Sequence, residues 1–278
     1  MLTQRIITAL IFGALVVVSI FYLPLIGFKM LAGLIVALAV WEFADLFWQE
    51  NYKKKISFLA AFLLVSAVAQ FFPAQPTLII GVLWWLIVPY FLWRYTINKN
   101  NCFTSVSMAW QWLVGMMVFV PCLVGLIEIQ EKFGVQFLLY LLMIVCAADI
   151  GAYFAGRFWG KHLLAPQISP KKTFEGMLGG LLCALLVTLI SALLLRVGVI
   201  NTGGVAFDFG GMRGISLLML VVITCLWSVI GDLFESMLKR QAGVKDSGQL
   251  LPGHGGMYDR IDSLTAAIPI FVLGLLLI

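Results

Sequence analysis

Between residues 231 and 262 the chain gathers Asp232, Glu235, Lys239, Arg240, Lys245, Asp246, Asp259, Arg260 and Asp262, five carboxylates and four permanent cations in 32 residues. Such a set suits a divalent cation and a polyphosphate. Mg²⁺ takes one or two carboxylates, keeps waters and bridges to substrate phosphates, while neighbouring cations neutralise what the metal does not. Group transfer at phosphorus needs little covalent help, so positioning and electrostatics carry it. Asp232, Glu235 and Lys239 fall at i, i+3 and i+7 and share one helix face, with Ser236 and Arg240 beside them. The run Pro252-Gly253-His254-Gly255-Gly256 forms turns and exposes backbone, so its amides can meet phosphate oxygens, and the His254 ring can add a phosphate contact. A solvated loop with surface ion pairs would account for the charges, and a metal-free salt-bridge cluster for the residue types. Neither accounts for the glycines, nor for Asp232 and Glu235 abutting an apolar run where charge is costly.

A second polar stretch, Ser169-Pro170-Lys171-Lys172-Thr173-Phe174-Glu175-Gly176, offers a proline to preset a turn, two lysines to meet phosphate, and Thr173 or Glu175 to open the helix that comes next. By itself this motif is equally that of a lysine pair on an anionic membrane surface. Asp149 and Tyr153, at i and i+4 on an apolar segment, form a third polar spot, with simple burial beside Arg157 as the alternative. Glu42 and Asp45 are ambiguous and can simply face the membrane interface near Lys53, and His162 reads as a loop residue.

The elements that must hold these groups are set by composition. Of 278 residues, 62% are hydrophobic and 11% charged, with a mean hydropathy of +1.05; soluble domains have roughly 45–50% and ~25%. The solvent of this chain is lipid. Apolar runs recur along its whole length, which one signal peptide cannot explain. Candidate spanning helices lie at 6–28, 30–48, 56–72, 77–93, 108–127, 134–156, 176–195, 214–237 and 263–278. Backbone in hydrocarbon must be satisfied within its segment, and the alternation of a barrel is absent, so the fold class expected is an all-α integral membrane protein of about nine transmembrane helices. With the N-terminus cytosolic, only Lys29, Lys132, Arg196 and Arg213 fall outside, which is the bias of the positive-inside rule and puts the C-terminus outside. The net charge of +5 then reports orientation, and nucleic acid is not expected as a partner. The chain divides into two regions: 1–133 with five spans, and 134–278, a catalytic region whose cytosolic loops are 157–176 and 238–262. The five cysteines are widely spaced packing residues. Ile278 ends an apolar run with no charged anchor after it, so a further tail is expected.

Ser236, Lys239, Arg240, Lys245, Asp246, Gly248, Pro252, His254, Gly255, Gly256, Asp259, Arg260 and Asp262 together resemble, without a gap, the signature of the phosphatidate cytidylyltransferases, the CDP-diacylglycerol synthases. The 169–176 stretch and the Asp149–Tyr153 spot look like features of the same family. The resemblance implies transfer of a cytidylyl group from CTP to phosphatidate, giving CDP-diacylglycerol and pyrophosphate, with Mg²⁺ required and a second cation near it. It also implies a homodimer in the cytoplasmic membrane, surrounded by lipid, with the active site facing the cytosol. Asp232 and Asp259 match the family's metal ligands, with Asp246 and Asp262 as second choices. Lys239, Arg240, Lys245 and Arg260 would offset the repulsion between substrates, and Ser169, Lys171, Lys172, Thr173, Ser236, His254, Gly255, Gly256, Asp149 and Tyr153 would bind them. The rival is an ion-coupled transporter, whose polar residues should lie near the midplane of broken helix repeats rather than at one membrane surface. The Asp spacings of CDP-alcohol phosphotransferases and of prenyltransferases do not occur.

Overall fold

A computed structural model describes residues 13–98, 103, 106–196, 211–250 and 255–278. Pro252, Gly253 and His254, named in the sequence analysis, lie outside the described residues, as does the start of the first candidate span at 6–28. The described chain forms α1 (Gly13–Tyr22), α2 (Leu25–Trp48), α3 (Tyr52–Ala69), α4 (Ala74–Asn98) and α5 (Met108–Glu128). A π-helical turn at Ile129–Phe133 leads into α6 (Val135–Trp159). After the strands β1 (Leu163–Ala165) and β2 (Ser169–Thr173) come α7 (Phe174–Arg196), α8 (Gly211–Ala242) and α9 (Tyr258–Leu277). The chain is an all-α integral membrane protein: among the described residues, 7 helices are long and apolar enough to cross a bilayer. The remaining two fall outside that set, α1 because only Gly13–Tyr22 is described, and α3 because its 18 residues begin with Lys53, Lys54 and Lys55 directly after Tyr52.

Several element bounds differ from the expected ones, each for a local reason. The first break falls at Pro24, which has no amide proton to continue a helix, and α2 starts at Leu25 rather than at residue 30. Asn51 caps α3 by accepting the Lys54 N–H at 3.1 Å, so the three lysines are helical. Gly134, at φ 84°, ends the π-helical turn in a conformation that disfavours side chains and lets α6 begin at once.

The stretch after α6, expected as a long loop, contains a β-hairpin. β1 and β2 pair antiparallel, with Leu163 opposite Thr173 and Ala165 opposite Ser169. Its turn is closed by the Ile168 N–H on the Ala165 carbonyl at 3.0 Å, so Pro170 lies within a strand and not at the turn. Ile168 and Thr173 are buried against the bundle, and Lys171 is exposed.

Two packing contacts position the polar groups. α6 and α7 form a tight hairpin whose backbones nearly touch: a Cβ at Gly179 would lie 2.2 Å from the Ala155 Cβ, and one at Gly180 would lie 2.4 Å from the Ala148 carbonyl oxygen. Small residues permit this approach where lipid offers no hydrophobic drive between helices. On the other side, α8 lies along α9, where a Cβ at Gly231 would meet the Asp262 carbonyl oxygen at 2.6 Å. α8 has 32 residues, about 48 Å at 1.5 Å per residue, against a hydrocarbon core of about 30 Å. Its last turns, from Asp232 on, therefore reach the membrane surface while still helical. α9 in turn packs on α2, α4 and α5, so the two regions expected from the sequence share one core.

Candidate active site

The hairpin, α6, α7 and α8 enclose a cleft of about 310 Å³ lined by Asp149, Tyr153, Ser169, Lys171, Lys172, Thr173 and Asp232, together with Ala152, Leu164, Gly176, Met177 and Val229. Seven residues named from three separate segments thus meet in one cavity. Asp149 and Tyr153 come from one face of α6. Thr173 caps α7, its Oγ1 accepting the Gly176 N–H at 3.0 Å, which ties the end of the hairpin to the start of that helix. Asp232 faces them from α8, and Lys172 Nζ reaches its Oδ2 at 2.5 Å. Asp149 lies within electrostatic range of both Asp232 and Lys172. Ser236 donates to Asp232 Oδ1 at 3.3 Å and so supports that carboxylate from one turn further along α8. Tyr153 accepts a hydrogen bond from Arg157 at 2.9 Å, leaving Asp149 to the cleft.

Arg240 has another partner. Its Nε donates to the Ile168 carbonyl at 3.2 Å, tying the hairpin turn to the end of α8. His162 also acquires a partner, since its ring nitrogen Nδ1 meets Glu175 Oε1 at 2.6 Å and the same carboxylate accepts the backbone N–H groups of Lys161 and His162.

A second network adjoins the cleft. Lys239 Nζ stands 2.6 Å from Glu235 and 2.5 Å from Asp259. Asp259 is fully engaged: Oδ1 holds Lys239, while Oδ2 accepts the Ser247 N–H at 3.0 Å, the Ser247 hydroxyl at 3.0 Å and the Gly256 N–H at 2.8 Å. The Gly256 amide, expected to meet phosphate, is thus spent on Asp259. Gly255 carries the chain there at φ 82°. Lys245, Asp246 and Arg260 are exposed around this loop. Asp262 links the two networks; its Oδ1 accepts the Ser263 N–H at 2.7 Å, and Asp232, Lys172 and Asp149 all act on its charge.

Glu42, ambiguous by sequence, is drawn into the interior and away from the membrane interface. It is 2% exposed, and its Oε2 accepts the Tyr258 N–H at 2.8 Å and the Ser247 hydroxyl at 3.2 Å. The only signal for it was a carboxylate inside an apolar helix. Asp45, its neighbour, pairs instead with Lys55 at 2.5 Å.

The donor set fits a hard cation in one place. Asp149 and Asp232 both open on the cleft, beside lysines and a serine that suit phosphate. Among the described residues, no three His, Cys, Asp or Glu side chains form a closed metal cage, so an ion held here would complete its shell with water and substrate oxygens, as Mg²⁺ commonly does. Asp259, with four internal hydrogen bonds from Lys239, Ser247 and Gly256, has less to offer.

The cytidylyltransferase family model matches residues 3–278. The chain is 35% identical over 297 residues to a phosphatidate cytidylyltransferase of Haemophilus influenzae, covering 98% of this chain and 97% of that protein. It is also 35% identical over 284 residues to one of Pseudomonas aeruginosa, covering 98% and 96%. A Staphylococcus aureus phosphatidate cytidylyltransferase is 40% identical over 182 residues, 63% of this chain and 62% of that one. With a match over nearly the whole chain, and basic and acidic groups converging in one cleft at the end of a helical membrane bundle, this chain belongs to the cytidylyltransferase family and is a membrane-embedded nucleotidyltransferase.

Proposed function

We propose that the chain transfers the cytidylyl group of CTP to phosphatidate, yielding CDP-diacylglycerol and pyrophosphate, with Mg²⁺ as cofactor and a second cation beside it. The observation that carries this reading is the cleft that places Lys171, Lys172, Ser169 and Thr173 opposite Asp149 and Asp232. A phosphate monoester is already largely dianionic near neutral pH, its second pKa being about 6, so its oxygen attacks the α-phosphorus of CTP without a protein base. The bond from that phosphorus to the bridging oxygen breaks, and pyrophosphate leaves with the electron pair.

The obstacle is repulsion between two anions, and Lys171 and Lys172 lower it by holding phosphate oxygens in a cleft with apolar walls, where charge counts for more than in water. Asp149 and Asp232 would hold the metal, which when bound neutralises the triphosphate and the developing pyrophosphate. Asp232 is kept in place by Lys172 and Ser236. Asp259, with Lys239, orders the loop that carries Lys245 and Asp246. An apolar cavity of about 410 Å³, bordered by Ile20, Val36, Leu138 and Leu142 and with Arg260 the one charged residue of its described lining, gives room for a lipid chain.

The same reading places the enzyme in the cytoplasmic membrane as a homodimer of nine-span protomers, N-terminus inside, with the cleft toward cytosolic CTP. The test is transfer of α-phosphate label from CTP into the lipid phase by detergent-purified protein with phosphatidate and Mg²⁺. Label that enters lipid, and is lost with EDTA and with Asp232→Asn, supports the reading. Folded protein that moves no label overturns it.

A further inference from the structure

Helix α9 begins at Tyr258 with Met257 as its N-cap residue and no local side chain capping it, although the first amides of a helix lack partners within it. The missing acceptor comes from 216 residues away in sequence: Glu42 Oε2 takes the Tyr258 N–H at 2.8 Å. The Ser247 hydroxyl stands 3.2 Å from the same oxygen and 3.0 Å from Asp259 Oδ2, its one proton shared between them, so Glu42 is one hydrogen-bonded step from the Asp259–Lys239 pair.

The loop is also shaped around this carboxylate. A Cβ at Gly248 would meet Glu42 Oε1 at 2.3 Å, with Cδ and Cγ of the same side chain next, and a Cβ at Gly256 would meet Glu42 Oε2 at 2.3 Å. Neither glycine has a positive φ, so what excludes a side chain at these positions is Glu42 and, at 256, Ser247. A buried carboxylate is costly unless it accepts strong hydrogen bonds, and the positive end of a helix is a favourable place for it. α2 contributes nothing to the cleft itself, yet it sends this side chain to the two ends of the 246–258 segment.

We propose that Glu42 is a positioning residue for the transfer reaction: it caps α9 from α2 and clamps the loop bearing Lys245 and Asp246 through Ser247, Gly248 and Gly256. This rests on the cytidylyl-transfer reading of the cleft. A loop set loose at both ends misplaces the groups around Lys239 and Asp259, and displacement of about 1 Å can cost ~10²-fold in rate.

The experiment compares Glu42→Ala, Glu42→Gln, Gly248→Ala and the Glu42→Ala/Gly248→Ala double variant by cytidylyl transfer and by the rate of tryptic cleavage after Lys245. Glu42→Ala should lower kcat about 10²-fold, with a smaller change in KM for CTP, and should speed cleavage. Glu42→Gln, which keeps an acceptor for the Tyr258 N–H, should retain most of both properties. Gly248→Ala should be impaired alone, while the double variant should be no worse than Glu42→Ala, because the clashing partner is gone. Wild-type kcat and cleavage in Glu42→Ala, or additive losses in the double variant, would overturn the proposal. If Glu42→Ala does not fold, Glu42→Asp serves in its place: the shorter acid withdraws from position 248, so it should protect Gly248→Ala from trypsin, and failure to protect counts against the clamp. The tryptic readout needs no substrate. A wild-type protein without transferase activity would therefore sink the functional reading while leaving the clamp to be judged by cleavage.

Discussion

Lys172, on β2, holds Asp232, on α8, across the mouth of the cleft with 2.5 Å between Nζ and Oδ2. The side chains are 24% and 30% exposed, so the pair is neither sealed in the core nor fully solvated. An ion pair in that setting is easily exchanged for substrate. A phosphate can take the ammonium and a cation the carboxylate, and both groups are already in place when they do.

Asp232→Asn should therefore lower kcat/KM by about 10²–10³-fold, the usual loss when one preorganised electrostatic partner of a transition state is removed. Lys172→Ala should act mainly through substrate affinity, because Lys171 lines the same cleft and retains part of the positive charge. Steady-state assays with CTP and phosphatidate varied separately will show which KM rises.

Removal of divalent cations should abolish transfer, and Mg²⁺ should restore it. Asp149→Asn and Asp232→Asn should each raise the Mg²⁺ concentration needed for half-maximal rate, since both carboxylates open on the cleft. Asp259→Asn should leave that concentration near the wild-type value while weakening the loop, because its oxygens are bonded to Lys239, Ser247 and Gly256. Activity measured against titrated Mg²⁺ separates the two behaviours, and a raised requirement in Asp259→Asn alone would make it the metal ligand instead.

Lys239→Met should destabilise the protein. The ammonium joins Glu235, 0% exposed, to Asp259, 9% exposed, and removing one partner from a buried charge pair costs about 3–5 kcal/mol because the other is left uncompensated. Thermal unfolding in detergent, measured alongside activity, should show a lowered midpoint. An unchanged midpoint would mean that the carboxylates are neutralised some other way.

Gly179→Val should force α6 and α7 apart, since the first added atom would already lie 2.2 Å from the Ala155 Cβ. Overpacking of this kind costs about 1–3 kcal/mol. Activity should fall further than stability, because Asp149 and the hairpin ride on these two helices. Gly33→Val, on α2, where an added Cβ would meet nothing within 4 Å, serves as the comparison, and equal losses in both would remove the packing argument.

Composition alone made this a helical membrane protein, because 62% hydrophobic residues in recurrent runs make lipid the solvent, and in lipid a segment must satisfy its own backbone, as a helix does. The chemistry was legible for a related reason. Charge is so scarce in such a chain that Asp149, Lys171, Lys172, Asp232 and the 239–262 cluster stand out without any knowledge of contacts. Helix bounds were less legible, since hydropathy marks where lipid ends and not where hydrogen bonding does; α8 and α9 run past their apolar cores to carry Lys239 and Asp259. Strands of three and five residues are too short for alternation to announce them. What only the tertiary structure decided is the division of labour among the carboxylates. Asp232 faces the cleft while Asp259 turns inward to the loop, although the two are alike in type and both flank apolar runs. That choice depends on which donors come within hydrogen-bonding distance, and those are contributed by segments far apart in the chain. Glu42 shows the same limit most clearly: its partners lie more than two hundred residues away, and no local pattern encodes a contact that exists only once α2 is packed against α9.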